Sequence, residues 1–168
     1  MRVEGFSFAD DGDVPNHPRW PLVVYAGAID PGFLAASEHA FDRLFERNGW
    51  VVGFRNGIYP FTHFHSNTHE VLGIARGEAT VQLGGEAGRA FIVKAGDALL
   101  LPAGTGHRLI SSSRALLVIG GYPPGHDYDL IRSAAGDTGA IRARIAAVAR
   151  PDADPVGGAD GPMIALWT

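Results

Sequence analysis

Two segments punctuated by turn residues constrain this chain more than anything else in it. The first runs from Gly57 to Gly77 and carries His63, His65 and Glu70; the second runs from Gly96 through Pro102 and Gly104 to His107. Side chains two apart on a strand point to the same face, so His63 and His65 can reach one point together. Ser66-Asn67-Thr68-His69 is rich in residues that bond their own backbone and predicts a chain reversal. Glu70 then opens the next strand opposite the histidine pair. In the second segment Gly96-Asp97 opens a strand, Leu99-Leu100-Leu101 reads as buried, Pro102-Ala103-Gly104 forces a bend, and His107 emerges from that bend. Strands that converge on one point in this way call for a small barrel.

The residue types at that point are those of a metal shell. Three imidazoles and one carboxylate suit one divalent transition metal (Fe, Mn, Zn, Ni or Cu) and leave positions open for a ligand. A lone histidine on a strand would be read as structural. Four ligand-type side chains in two ordered segments are read as a site, with His63, His65, Glu70 and His107 as the metal ligands.

The remainder divides into three zones within one expected domain, 1–168. Zone 1–50 precedes the barrel; Leu22 to Tyr25 reads as a strand, and Asp30-Pro31 is a helix start with Asp as N-cap and Pro at the first turn. Phe33, Ala36, Ala40, Phe41, Leu44 and Phe45 share a helical face, which predicts one helix over about 31–47 packed outside the barrel. Zone 50–122 is a series of short strands broken by Gly and Pro. Zone 123–168 predicts a helix over about 138–149, an irregular Pro-, Asp- and Gly-rich stretch over 151–162, and an apolar tail, Met163 to Trp167, that needs a surface to dock on.

A net charge of −4 favours neither nucleic acid nor an anionic membrane as partner. The chain has no cysteine, which excludes disulfides, thiolate metal sites and thiol nucleophiles. No apolar run approaches a membrane span. Glu4, Asp10, Asp11 and Asp13 are foreign to a signal peptide, so the cytoplasm is the expected location. Gly84-Gly85 and Gly104-Thr105-Gly106 lack the helix and lysine of a nucleotide loop and read as turns. There is no serine-centred nucleophile elbow either.

The two segments resemble the paired motifs of the cupin superfamily, G-x5-H-x-H-x3,4-E-x6-G followed by G-x5-P-x-G-x2-H-x3-N. The first is matched at every fixed position from Gly57 to Gly77, and the second from Gly96 to His107, with Ser111 standing where the family has Asn. The His65-to-Gly73 run and the later Gly-Tyr-Pro…Asp-Tyr-Asp segment resemble one branch, the YjlB-like bacterial single-domain cupins, to which no reaction is attached. The resemblance implies an all-β fold, the double-stranded β-helix or jelly-roll barrel, with flanking N- and C-terminal helices. It also implies a homodimer, since small cupins pair barrel to barrel.

Two functional classes stand at this point. One is a metal-dependent enzyme acting on a small polar metabolite, an organic acid or a sugar derivative, by oxygenase, decarboxylase or isomerase chemistry. The other is a metal-containing binding or storage module without turnover. Tyr59 and Phe61 share the parity of His63 and so point inward on a regular strand. Tyr59 is the one catalytic candidate, although a buried core role is the simpler reading. His69 is read as capping or facing solvent, and His17, His39 and His126 as surface residues. Arg55 and Arg76 are read as outward and solvated. The Asp127-Tyr128-Asp129 cluster either lines the mouth or ends a loop.

Overall fold

The structure, a computed structural model, describes residues 1–125 and 127–168; His126 lies outside the described residues. In chain order the strands are β1 (Arg2–Phe6), β2 (Leu22–Ala26), β3 (Val51–Asn56), β4 (Glu70–Arg76), β5 (Glu78–Leu83), β6 (Arg89–Lys94), β7 (Ala98–Leu101), β8 (His107–Ser112) and β9 (Leu117–Tyr122). They form a six-stranded sheet in the order β1-β2-β7-β4-β9-β3 and a three-stranded sheet in the order β6-β5-β8, with every pairing antiparallel. This is an all-β jelly roll. Four short helices flank it: α1 (Pro31–Ala36), α2 (Ala40–Arg47), α3 (Ala140–Ala147) and α4 (Pro162–Leu166). No described helix is long and apolar enough to cross a membrane.

The two-residue period of the strands distributes side chains between two cores. Leu72 and Ile74 of β4, Leu99 and Leu101 of β7, and Val81 and Leu83 of β5 fill the barrel interior. The alternate residues Val71, Ala75, Ala98, Leu100 and Ile119 face the other way and are covered by Phe41, Phe45, Trp50 and Trp167. The central strands β7 and β4 of the larger sheet are thus buried on both faces, which is why Leu99-Leu100-Leu101 is apolar without alternation. A third, smaller cluster of Val14, Phe64, Ala103, Ala134 and Ile145 seals the end of the barrel behind the histidine segment.

The flanking segments correct several expectations. The single helix over 31–47 is two helices, because Ser37 adopts an extended conformation, φ −158°. Its hydroxyl accepts from the His39 N–H and the Arg43 guanidinium, and such local bonds compete with helix propagation. The break turns Phe33 outward, 72 % exposed, while Phe41 and Phe45 stay buried. Asp30 caps α1 by accepting the Gly32 N–H at 2.8 Å. Strand β1 lies outside the elements that the sequence predicts, since its residues carry no clear alternation. The apolar tail docks on its own chain. The Trp167 ring stacks on Trp20 at 5.2 Å, and its Nε1–H donates to the Pro21 carbonyl. The stretch before it, expected to be irregular, is fastened by buried Asp154, whose carboxylate accepts from the Val156, Gly157 and Met163 N–H groups and from the Tyr25 hydroxyl.

Candidate metal centre

Strand ends meet at one mouth of the barrel. Glu70 is the first residue of β4, His107 the first of β8 and Tyr122 the last of β9. His63 and His65 lie on a segment less regular than the expected strand. Isolated bridges join it to its neighbours: Phe64 pairs with Ile131, and His63 exchanges both backbone bonds with His107 at 2.9 and 3.2 Å. Pro60 lacks the N–H that a longer ladder would need. The bridge nevertheless fixes His63 beside His107, and the i, i+2 spacing brings His65 to the same side.

Each of the three imidazoles is held by its far nitrogen. Nδ1 of His63 meets the Phe61 carbonyl at 3.0 Å, Nδ1 of His107 meets the Thr105 carbonyl at 3.0 Å, and Nδ1 of His65 meets the Asp129 carbonyl. A carbonyl only accepts, so each Nδ1 carries the hydrogen and each Nε2 is left with its lone pair. These buried rings offer ligand atoms within 4.8 Å of one another, a group that could bind a metal ion.

Glu70 completes the picture. Its Oε1 accepts the Tyr122 hydroxyl at 2.7 Å. Its Oε2 is buried and accepts no well-aligned hydrogen bond, although Nε2 of His65 and Nε2 of His107 lie only 3.4 and 3.2 Å away. An orphaned carboxylate oxygen among inward imidazole nitrogens fits a cation held between them. The electrostatics agree. Burial pushes His63 down to about 3, with the neighbouring His107 ring adding to the effect, so His63 stays neutral. Burial alone would also lower His65, but the Glu70 carboxylate and the Asp129 carbonyl reverse this and raise it. Burial alone would raise Glu70, yet the His65 and His107 rings hold its carboxyl well below the usual range, so it is ionised. Burial, reinforced by the Glu70 charge, pushes the Tyr122 phenol up, so it remains a hydrogen donor.

A cavity of about 100 Å³ opens over these groups. Leu72 and Phe54 line its depth, and Tyr59, Tyr128 and Leu130 stand at its rim. Tyr59 is therefore not a core residue. It is 54 % exposed, stacks on Phe61 and presents its edge to His63 at 5.4 Å. Pro60 again interrupts the parity that would have turned it inward. Of the Asp127–Asp129 cluster, Tyr128 lines the mouth and the two flanking aspartates fasten the loop. Asn67 accepts the Asp129 N–H and donates to the Asp127 carbonyl, while the Asp129 carboxylate accepts the Ser66 N–H at 2.6 Å. These bonds lay Tyr128 against Tyr122, ring centroids 4.7 Å apart.

Two histidines outside the site are more buried than expected. His69, read as capping or facing solvent, is fully buried and bonds backbone groups: its Nδ1 accepts the Ala103 N–H and its Nε2 meets the Ala149 carbonyl. His17 is buried rather than superficial, stacked on Trp20 at 4.4 Å. His39 is exposed as expected. Arg55 and Arg76 point outward, paired with Asp42 at 2.6 Å and Glu38 at 2.7 Å. Tyr122 was missed as a site residue. Its signal was its place at the end of Gly120-Gly121-Tyr122-Pro123, where the β4–β9 register sets it beside Glu70.

Comparison with known proteins gives this geometry a family. The model of the cupin domain matches residues 54–119, which include all four expected ligands. Over 165 residues the chain is 41 % identical to the "Uncharacterized protein YjlB" of Bacillus subtilis, covering 98 % of this chain and 96 % of that one. The chain belongs to the YjlB-like cupins. Solved structures similar to this cupin are more distant. A variant of Bacillus subtilis oxalate decarboxylase OxdC is 19 % identical with a TM-score of 0.38, over 67 % of this chain and 22 % of that one. A DUF861 family protein of Thermotoga maritima is 18 % identical with a TM-score of 0.37, over 58 % and 96 %. Tomato vicilin is 13 % identical with a TM-score of 0.42, over 74 % and 33 %. The cupin spans about a fifth of the oxalate decarboxylase and a third of the vicilin.

Proposed function

We propose that this cupin is a metal-dependent enzyme acting on a small polar metabolite, an organic acid or a sugar derivative, at a divalent metal held by His63, His65, Glu70 and His107. The observation that carries the reading is the anchoring of all three imidazoles through Nδ1, which commits every Nε2 to the cavity beside the orphaned Glu70 oxygen. A divalent transition metal there would polarise a bound oxygen or lower the pKa of bound water, and iron, manganese or copper would add redox chemistry.

The protein's own groups prepare the site. The Phe61, Thr105 and Asp129 carbonyls fix the ring tautomers. The Tyr122 hydroxyl holds Glu70 so that one carboxylate oxygen faces the histidines. Leu72, Phe54 and Ile58 keep the interior apolar, so charge acts there with little screening. The cavity reaches solvent past Tyr59 and Tyr128, which lets a ligand approach the metal position.

That access favours an enzyme over a closed storage site. One observation supports the second reading, a binding module without turnover: apart from the four ligands, the ionisable groups among the described lining residues are tyrosines. Incubating metal-loaded protein with organic acids and sugar derivatives, with product detection by NMR, separates the two. Conversion that is lost on chelation and in His107→Ala supports the enzyme. Saturable binding of a ligand that is recovered unchanged supports the module.

A further inference from the structure

The cavity over the histidines has a charge pattern that a metal shell alone does not require. Among the described residues its lining holds one carboxylate, Glu70, and no arginine or lysine. The nearby guanidinium groups lie outside that lining. Arg132 lies over the Phe61 ring at 4.2 Å, and Arg144 donates to the Ser66 hydroxyl at 3.1 Å and pairs with Asp129 at 3.6 Å. The walls of the mouth carry aromatic rings, the stacked pair Tyr122–Tyr128 and Tyr59, which is backed by Phe61 at 4.9 Å.

On the metal reading proposed above, the charge count is simple. A divalent ion, one ionised Glu70 and three neutral imidazoles leave a net charge of +1. A ligand with one negative charge neutralises it. A second negative charge would sit among Leu72, Leu130 and the tyrosine rings, with no cation in the described lining to meet it. Aromatic faces carry negative potential, and an unpaired charge removed from water is costly. The flat walls favour a planar or apolar body on the ligand, and a cavity of about 100 Å³ admits only a small one.

We infer that the site takes a small monoanionic oxygen ligand with a flat or apolar body, bound to the metal through its anionic end, and that it discriminates against dianions. This inference rests on the metal reading and specifies the ligand class of that same site.

A matched pair of probes tests it. Malate and its β-monoamide share the α-hydroxycarboxylate that binds a metal and have nearly the same shape, but the amide has one negative charge fewer. A metal ion free in water prefers malate, since Coulomb attraction favours the dianion. Cobalt(II)-loaded protein is titrated with each, and binding is read from the visible absorption of the ion. The expected result is the reverse of the order in water, with the monoamide bound at least tenfold more tightly. Tyr59→Arg, at the exposed rim, should raise malate affinity at least tenfold by supplying the missing cation. Malate bound as tightly as the monoamide or more so, or neither bound by loaded protein, overturns the inference and leaves the metal reading standing. Failure of the protein to take up cobalt overturns the metal reading and this inference with it.

Discussion

The hydroxyl of Tyr122 donates to Glu70 Oε1 at 2.7 Å, from the last residue of β9 to the first of β4. That single bond decides which carboxylate oxygen is left to face His65 and His107. Removing it frees the carboxylate to rotate without removing any ligand. Partners of this kind change metal affinity by roughly 10- to 100-fold. Tyr122→Phe should therefore weaken metal binding by about that factor while leaving the fold intact, as measured by competition with a chelator of known affinity. Unchanged affinity would show that Glu70 does not need the bond.

Gly53 governs the same relationship from a third strand. The β3–β9 register shifts between Val52 and Phe54, making Gly53 the extra residue of a bulge. A Cβ there would meet the Tyr122 ring at 2.5 Å. Gly53→Ala should push that ring off Glu70 and cost about 1–3 kcal/mol as an overpacked site. Its metal affinity should fall with that of Tyr122→Phe, and the double variant should show no further loss of affinity. Additive losses in the chelator assay would contradict a shared pathway.

His17 supplies a pH dependence remote from the site. Burial and the neighbouring Arg19 charge push it down to about 4, while its Nδ1 accepts the Trp20 N–H at 3.0 Å. The folded pKa lies below the unfolded value of about 6.5, so the unfolded chain binds the extra proton. The stabilisation is complete above pH 6.5 and is lost as the pH falls from there through 4. Wild type should lose about 1–3 kcal/mol more than His17→Gln between pH 7 and 4, measured by urea unfolding of both metal-free proteins. Parallel profiles would contradict the assignment.

Trp167 anchors the tail to the outer core, fully buried between Trp20 and the ring of His69 at 4.8 Å. Trp167→Ala should cost about 3–5 kcal/mol, the range for a large aromatic removed from a packed core. Urea unfolding measures it directly. A loss below about 1 kcal/mol would mean that the tail is dispensable to the fold.

What the sequence reveals of this protein follows from the range of the interactions involved. The strands around Glu70 to Arg76 and His107 to Ser112, and the convergence of His63, His65 and His107, are legible because turn residues and strand periodicity are local. The distant groups that orient the ligand side chains are not. The Asp129 carbonyl on His65 and the Tyr122 hydroxyl on Glu70 are joined only by the closed barrel. His17 and His69 look like surface residues until Trp20 and the distant Trp167 enclose them. Tyr59 was misplaced for a local reason, because a parity argument does not survive Pro60. The helix over 31–47 failed at Ser37, whose side chain offers the backbone a competing bond.

The central claim is that His63, His65, Glu70 and His107 together hold one divalent metal. Metal analysis of untagged protein purified without chelators, set beside the four single alanine variants, tests it most directly. The account predicts close to one equivalent of a transition metal per chain in the wild type, with each variant folded, as judged by circular dichroism, and largely depleted. A wild type that neither carries metal nor takes it up on addition, or a folded variant that retains full occupancy, would contradict it.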